Sequence, residues 1–181
     1  MTLDDMVGRG LEKSASSRDE IARYLAKIRR KVADSKKDSI SLDSRFAIAF
    51  EGLLQIALAA LRANGYRTTS EAGHQQLAIQ LLPKSIDIDP LEIRTLDEYR
   101  KKRSIGLYEA DYDPSEEEVS AVIAAVGGLL EKLVGWIKRN SPDLLGQQPD
   151  PNRSAKGGGV RLGTTTPAVA ADRPAKRKRR E

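Results

Sequence analysis

A long apolar stretch in the first third of the chain constrains the fold more than any other feature. Between residues 46 and 61, apolar side chains recur at helical spacing and surround most of a helix, at Phe46, Phe50, Leu53, Leu54, Ala57, Leu58 and Leu61. This helix is predicted to begin between Ser41 and Ser44 and to end at Asn64-Gly65 in a left-handed C-cap. A helix that is apolar around most of its circumference is buried, so the rest of the chain must pack around it.

Four further helices are predicted from local start and stop signals. Their starts are a capping box of Ser17 with Glu20, Ser70 with Glu71, Asp89-Pro90, and Asp113-Pro114 followed by Glu116. The third of the five helices is predicted to be weakened or ended by Pro83, and the fifth to end at Ser141-Pro142, because proline lacks the N–H that continues a helix. Each helix carries apolar residues at helical spacing, which is typical of one buried face.

The remaining sequence completes the predicted architecture. No segment alternates apolar and polar residues between hairpin turns, so a sheet is not expected. The chain is predicted to be all-α, an up-and-down bundle of four or five helices. A flexible lead is predicted at residues 1–16, the bundle at 17–143, and a disordered tail at 144–181. The tail is rich in Gly, Pro and Thr and cannot bury enough apolar surface to offset the entropy of ordering it.

Positive charge is concentrated in that tail. The chain has a formal charge of +5, but residues 144–181 hold nine Lys or Arg against three Asp or Glu, which leaves the body at −1. The tail ends in a basic block, Lys176, Arg177, Lys178, Arg179 and Arg180. Such a block binds nucleic-acid phosphates without base preference, acts as a localisation signal, or is only solvated. The sequence leaves these three interpretations open.

Composition excludes several classes of chemistry. The chain has no cysteine, which rules out disulfides, thiolate metal sites and a cysteine nucleophile. With His74 as its one histidine, it offers no compelling metal-ligand spacing, and we predict neither a metal nor a cofactor. The first thirty residues lack an apolar run of signal-peptide length, and no later segment has about 18 uninterrupted apolar residues. We therefore expect a cytoplasmic protein that does not bind a membrane.

A cationic cluster in the fourth predicted helix is the most unusual local feature. Arg100, Lys101, Lys102 and Arg103 follow one another, and Arg103 lies one heptad after Leu96, on the apolar stripe of that helix. An arginine on this face snorkels, faces a cleft or a partner, or pairs with a carboxylate, for which the candidates are Asp97, Glu98 and Glu51. The alternative is a solvated helix end whose cations complement the helix dipole.

From Ser41 to Asn140 the pattern resembles the HEPN superfamily of helical bundles. The long apolar helix ends in Ala63-Asn64-Gly65-Tyr66-Arg67, a helix containing Gly73-His74 follows, and the basic helix precedes Tyr108-Glu109-Ala110-Asp111-Tyr112. Families of this type carry an Arg, a polar residue and then a His near the end of a helix. Carried over by position, the motif is Arg103 and Ser104, with Tyr108 where the family has His.

The resemblance implies a set of activities and partners. Many such proteins are metal-independent RNases that act as dimers, and several are toxins, phage-defence modules or partners of nucleotidyltransferases. RNA cleavage of this kind needs a group that exchanges protons near neutral pH, while Arg stabilises the phosphate transition state. Tyrosine ordinarily titrates near pH 10, so the motif favours binding over hydrolysis. His74 can supply the proton-transfer group if it lies beside Arg103.

Three functional hypotheses follow from the sequence. The first is an RNA- or nucleotide-binding protein in a toxin–antitoxin, stress or defence setting, with a phosphate bound by Arg103, Arg100, Lys101, Lys102 and Ser104. Its expected partners are RNA or a nucleotide, a second copy of the chain, and a cognate antitoxin or nucleotidyltransferase-like protein. The second is a non-enzymatic, dimeric interaction module in which Arg103 forms an interface salt bridge. The third is an active metal-independent RNase that uses Arg103 with Tyr108 or His74.

Overall fold

The chain folds around its longest apolar helix. The computed structural model describes residues 2–70, 73–108 and 113–145, and within these ranges it contains six α-helices and two short strands. The helices are α1 Arg18–Ser35, α2 Leu42–Ala63, α3 His74–Gln80, α4 Leu82–Ile86, α5 Pro90–Tyr108 and α6 Glu116–Asn140, and the strands are β1 Leu11–Lys13 and β2 Tyr66–Thr68. The predicted all-α class is confirmed, with the addition of one small sheet.

Helix α2 lies at the centre, as predicted. Its side chains Leu53, Ile56 and Leu61 are fully buried. Helix α2 packs against each of the other five α-helices and against strand β2. The Ser41 hydroxyl caps its start by accepting a hydrogen bond from the Ser44 amide. At its other end Gly65 adopts a φ of 82°, the left-handed conformation in which glycine commonly ends a helix.

Helices α1 and α2 run in opposite directions. Arg62, near the end of α2, donates to Glu20 at the start of α1 through Nε at 2.7 Å. At the opposite end, Arg45 Nε donates to the Ser35 carbonyl at 3.0 Å. The two helices are therefore linked at both ends by buried arginines, and the short connection between them turns the chain through a hairpin.

Helices α5 and α6 continue the alternation. Arg45 Nη1 donates to Glu116 at 3.1 Å, so that α6 begins beside the start of α2. Glu92 in the first turn of α5 pairs with Lys132 in the second half of α6, and the two helices are therefore antiparallel. The four long helices thus alternate in direction, with α3 and α4 placed between α2 and α5 along the chain.

Two helix starts differ from the sequence prediction. Helix α3 begins at His74 rather than Ser70, and the residue before it, Gly73, has a φ of 83°. Pro83 does not end this helix but lies in the first turn of α4, where its missing N–H costs nothing.

Helix α6 begins at Glu116, two residues later than predicted. Its cap is not Asp113 but Ser115, which forms a reciprocal capping box with Glu118.

The predicted flexible lead is folded onto the bundle over much of its length. Strand β1 pairs antiparallel with β2, with Leu11 opposite Thr68 and Lys13 opposite Tyr66. The Leu3 and Leu11 side chains are buried in the core, and burial of such side chains is worth about 1.5–3 kcal/mol each. This burial explains why the segment departs from the expectation.

The bundle also extends past its predicted end at residue 143. Pro142–Leu144 form a 3-10 helix, and Leu144 and Leu145 pack against the core. The rest of the predicted tail, from residue 146 with the basic block at 176–180, lies outside the described residues.

The single tryptophan belongs to the core. Trp136 on α6 is 8% exposed, and its indole Nε1 donates to Asp87 at 3.2 Å. Asp87 follows α4 in a left-handed conformation with a φ of 55°. This contact joins α6 to the connection between α4 and α5, which agrees with the core position expected for an amphipathic aromatic residue.

Two of the helices, α2 and α6, are long and apolar enough to cross a membrane, each with a mean hydropathy of 1.6. Core helices of water-soluble proteins meet the same criteria, and α2 is 67% buried over its most apolar window whereas α6 is 39% buried. The expected cytoplasmic location therefore stays a prediction.

Candidate functional site

A cavity of about 400 Å³ lies between α3 and α5 and brings the predicted motif residues together. Arg100, Arg103, Ser104 and Tyr108 line it from α5, and His74 lines it from α3. These two parts of the sequence are far apart along the chain, and the contact between α3 and α5 closes the gap. The condition that His74 should lie beside Arg103 is thus met to the extent that both line one cavity.

Of the two arginines that line the cavity, Arg103 is the one with no carboxylate partner among the described residues. Within the described ranges its guanidinium forms no ion pair or hydrogen bond. Arg100 differs, because its Nε donates to Asp97 at 2.7 Å, and this hydrogen bond lowers the pKa of the Asp97 carboxyl. A partly buried guanidinium with no described partner is suited to binding an anion from solution.

The two lysines of the cluster point elsewhere. Lys101 Nζ donates to Glu98 at 2.7 Å on the solvent side of α5, and this hydrogen bond raises the pKa of Lys101. Lys102 pairs with Glu118 of α6. Neither lysine is among the described residues that line the cavity. The four consecutive cations therefore do not form one patch.

Glu51, one of the carboxylates considered as a partner for the cluster, pairs instead with Lys31 of α1. Of the carboxylates considered for the arginines, Asp97 pairs with Arg100, whereas Glu98 pairs with Lys101. Asp97, Glu98 and Glu118 are thus the described carboxylates that pair with the cluster.

Tyr108 lies at the rim of the cavity, at the last residue of α5. Its side chain is 84% exposed, and Ile105, one turn earlier, is also exposed. The part of the motif from Glu109 to residue 112 lies outside the described residues. Ser104 lines the same cavity as Arg103.

A second cavity of about 680 Å³ adjoins the first, and the two have Ser70 and His74 in common. Residues from α1, α2 and the strands line it, including Glu12, Glu20, Tyr24, Leu58, Arg62, Arg67, Thr68 and Thr69. Sequence reasoning missed this cavity entirely. The cavity depends on the pairing of β1 with β2, and neither short strand has a sequence pattern that predicts this pairing.

Arg62 holds one wall of the second cavity in place. It donates to both carboxylate oxygens of Glu20, at 2.7 and 2.8 Å, and to the carbonyls of Ser14, Ala15 and Tyr66. These hydrogen bonds lower the pKa of Glu20 and raise that of Arg62. All five guanidinium donors are in use, so Arg62 has a structural role and is not available to a ligand.

Metal chemistry gains no support from this site. In the part of the chain that the structure describes, no group of three or more His, Asp or Glu side chains has the arrangement of a metal site.

Comparison of the chain with protein-family models, with curated proteins and with solved structures gives no match.

Proposed function

We propose that the chain binds RNA or a nucleotide through a phosphate group held by Arg103 in the cavity between α3 and α5. The observation that carries this proposal is the position of the Arg103 guanidinium, which lines a cavity and has no carboxylate partner among the described residues. Guanidinium groups match the geometry of phosphate oxygens and bind them through paired hydrogen bonds.

The surroundings of Arg103 are consistent with an anionic ligand of modest size. Arg100 lines the same wall and Ser104 adds a hydroxyl donor. The volume of about 400 Å³ falls within the range of small-molecule sites, about 300–1,000 Å³. Because Lys101 and Lys102 are paired with carboxylates elsewhere, the proposal rests on a small site rather than a broad basic surface.

The HEPN resemblance supplies the proposed biological setting. It favours a toxin–antitoxin, stress or defence role in the cytoplasm, with a cognate antitoxin or a nucleotidyltransferase-like protein as partner. It also favours a homodimer, and the exposed Ile105 and Tyr108 beside the cavity are apolar surface that a second copy would cover. The basic block at 176–180 would then raise the affinity for nucleic acid without adding base preference.

A second candidate function, metal-independent RNA cleavage, gains support from the position of His74. Histidine gains and loses a proton between pH 5 and 8, and His74 lines the same cavity as Arg103. In such a reaction His74 takes the proton of the ribose 2′-hydroxyl, and the 2′-oxygen bonds to phosphorus. The bond from phosphorus to the 5′-oxygen breaks, and that oxygen takes a proton from water while Arg103 stabilises the negative charge.

The decisive experiment measures binding and cleavage of a radiolabelled single-stranded RNA in EDTA. We expect Arg103→Ala to weaken binding by about 10- to 100-fold, because a hydrogen bond to a charged group contributes about 1.5–3 kcal/mol. Arg94→Ala is the matched control, since Arg94 is exposed on the same helix and lines a different cavity. Binding by Arg103→Ala that equals the wild type would refute the proposal.

The same experiment separates the other hypotheses. Cleavage that persists in EDTA and is lost in His74→Ala, with binding retained, would establish the RNase. If the chain instead forms an oligomer whose stability depends on Arg103 and not on RNA, the interaction module is correct and Arg103 belongs to an interface.

A further inference from the structure

The two cavities meet at Ser70 and His74, and both residues line each cavity. We infer that the second cavity is a nucleoside subsite, so that the chain recognises the sugar and base attached to a phosphate rather than the phosphate alone. This inference rests on the proposed function, because it takes the phosphate to be bound at Arg103.

Charge distinguishes the two cavities. The second cavity contains two arginines, but Arg62 is paired with Glu20 and Arg67 is paired with Glu12. Each pair is neutral, and every donor of Arg62 is already used by protein oxygens. The second cavity therefore offers no uncompensated cation to a second phosphate, whereas the first cavity offers Arg103. An uncharged group is the part of a ligand that suits the second cavity.

The lining of the second cavity matches the mixed character of a nucleoside. Tyr24 and Leu58 contribute apolar surface, and Thr68 adds a hydroxyl-bearing side chain from β2. Burial raises the pKa of the Tyr24 hydroxyl, which keeps it neutral and able to donate. Bases stack on apolar and aromatic surface and hydrogen-bond through their edges, and this wall provides groups for both.

His74 then lies at the junction of phosphate and sugar. It lines both cavities, so a nucleotide that spans them carries its ribose past the imidazole. This arrangement separates three roles along one groove: Arg103 binds the phosphate, His74 faces the ribose, and the Tyr24 and Thr68 wall holds the base. The ligand class that fits is a nucleotide or the end of a single-stranded RNA, and inorganic phosphate alone occupies one half of the groove.

Calorimetric titration of the full chain with three probes tests this inference. The probes are inorganic phosphate, adenosine monophosphate and uridine monophosphate, and the variants are Thr68→Val and Tyr24→Phe, which remove a hydroxyl and keep the side-chain shape. We expect each variant to weaken the tighter-binding nucleotide by about fivefold, the effect of one hydrogen bond, and to leave phosphate binding unchanged. Thr95→Val, at an exposed position on α5, is the matched control.

Separate outcomes identify which idea fails. Wild-type nucleotide binding in both Thr68→Val and Tyr24→Phe, with loss in Arg103→Ala, would overturn the nucleoside subsite and leave phosphate binding at Arg103 intact. Equal affinity of the wild type for phosphate and for both nucleotides would overturn the subsite as well. If Arg103→Ala binds all three probes as the wild type does, the proposed function itself fails.

Discussion

At the scale of single residues, two arginines of this chain show how partners determine what a charged side chain does. Arg62 is 8% exposed and donates five hydrogen bonds to protein oxygens, two to the Glu20 carboxylate and three to backbone carbonyls. Arg103 is partly exposed in a cavity and has no carboxylate partner in the described ranges. The first therefore stabilises the fold, and the second is open to a ligand.

The Glu20–Arg62 pair predicts a specific dependence of stability on pH. Because hydrogen bonds from Arg62 hold the pKa of Glu20 below its ordinary value of 4.5, the pair contributes its full stability above that value. The contribution is lost as pH falls below 4.5 towards the folded pKa. We expect Glu20→Gln to reduce the loss of thermal stability between pH 6 and 3, measured by circular dichroism.

Glu131→Gln provides the control for this measurement, because Glu131 is an exposed carboxylate on α6. It should leave the slope of stability against pH as in the wild type. An unchanged slope in Glu20→Gln would contradict the role assigned to the Arg62 hydrogen bonds.

At the scale of elements, the sequence predicted helix ends that depend on contacts between residues a few positions apart. The caps at Ser17 and Ser41 are in place because each needs an amide only three residues away. Asp113 was wrong as a cap because Ser115, with Glu118 at the right spacing, forms the better capping box. Gly73, with its positive φ, directly precedes α3, which begins at His74. Neighbouring residues can thus compete to cap one helix, and a prediction that considers each residue separately does not detect this competition.

Features that depend on distant contacts could not be predicted in this way. The sheet joins residue 11 to residue 68, and its three-residue strands are too short to show an alternating pattern. The position of Arg103 on the apolar stripe was visible in the sequence. The cavity that Arg103 shares with His74 could not be predicted from the sequence, because the packing of α3 on α5 is a tertiary contact.

Two glycines near β1 test how this strand is held on the bundle. Gly10 has a φ of 101°, and a Cβ there would lie 2.5 Å from Leu77 Cδ2 on α3. Gly8 also has a positive φ, 78°, but a Cβ would meet nothing within 4 Å. We expect Gly8→Ala to lower the free energy of unfolding by about 1 kcal/mol, the cost of the left-handed backbone.

Gly10→Ala should cost about 2–3 kcal/mol, because crowding against Leu77 adds to the backbone strain. Denaturant unfolding followed by circular dichroism measures both changes. Equal losses in the two variants would show that the Leu77 side chain moves aside at no cost to admit a Cβ at position 10.

At the scale of the whole molecule, the sequence separates a nearly neutral body from a strongly basic tail. Residues 1–143 carry a net charge of −1 and residues 144–181 carry +6. If the chain binds RNA as proposed, specific recognition by the bundle must come from local placement of cations such as Arg103, and long-range attraction from the tail.

This separation predicts that two groups of cations affect RNA binding in different ways. Replacing all five basic residues at 176–180 with serine should make the plot of log affinity against log salt less steep by up to about 3, the effect expected for five contacts to single-stranded phosphates. Arg103→Ala should lower the affinity at every salt concentration and change this slope by less than about 1. Equal slopes for the wild type and the serine variant would show that the tail does not contact the RNA.

The hydrogen bond between Trp136 and Asp87 has an optical consequence. Trp136 is the one tryptophan of the chain, and it lies on α6 against the connection that leads into α5. Its fluorescence emission therefore reports the packing at that connection without any attached dye. Because Trp136 is not among the described residues that line the two cavities, a change in emission on adding a nucleotide would record a movement transmitted through the bundle rather than contact with the ligand.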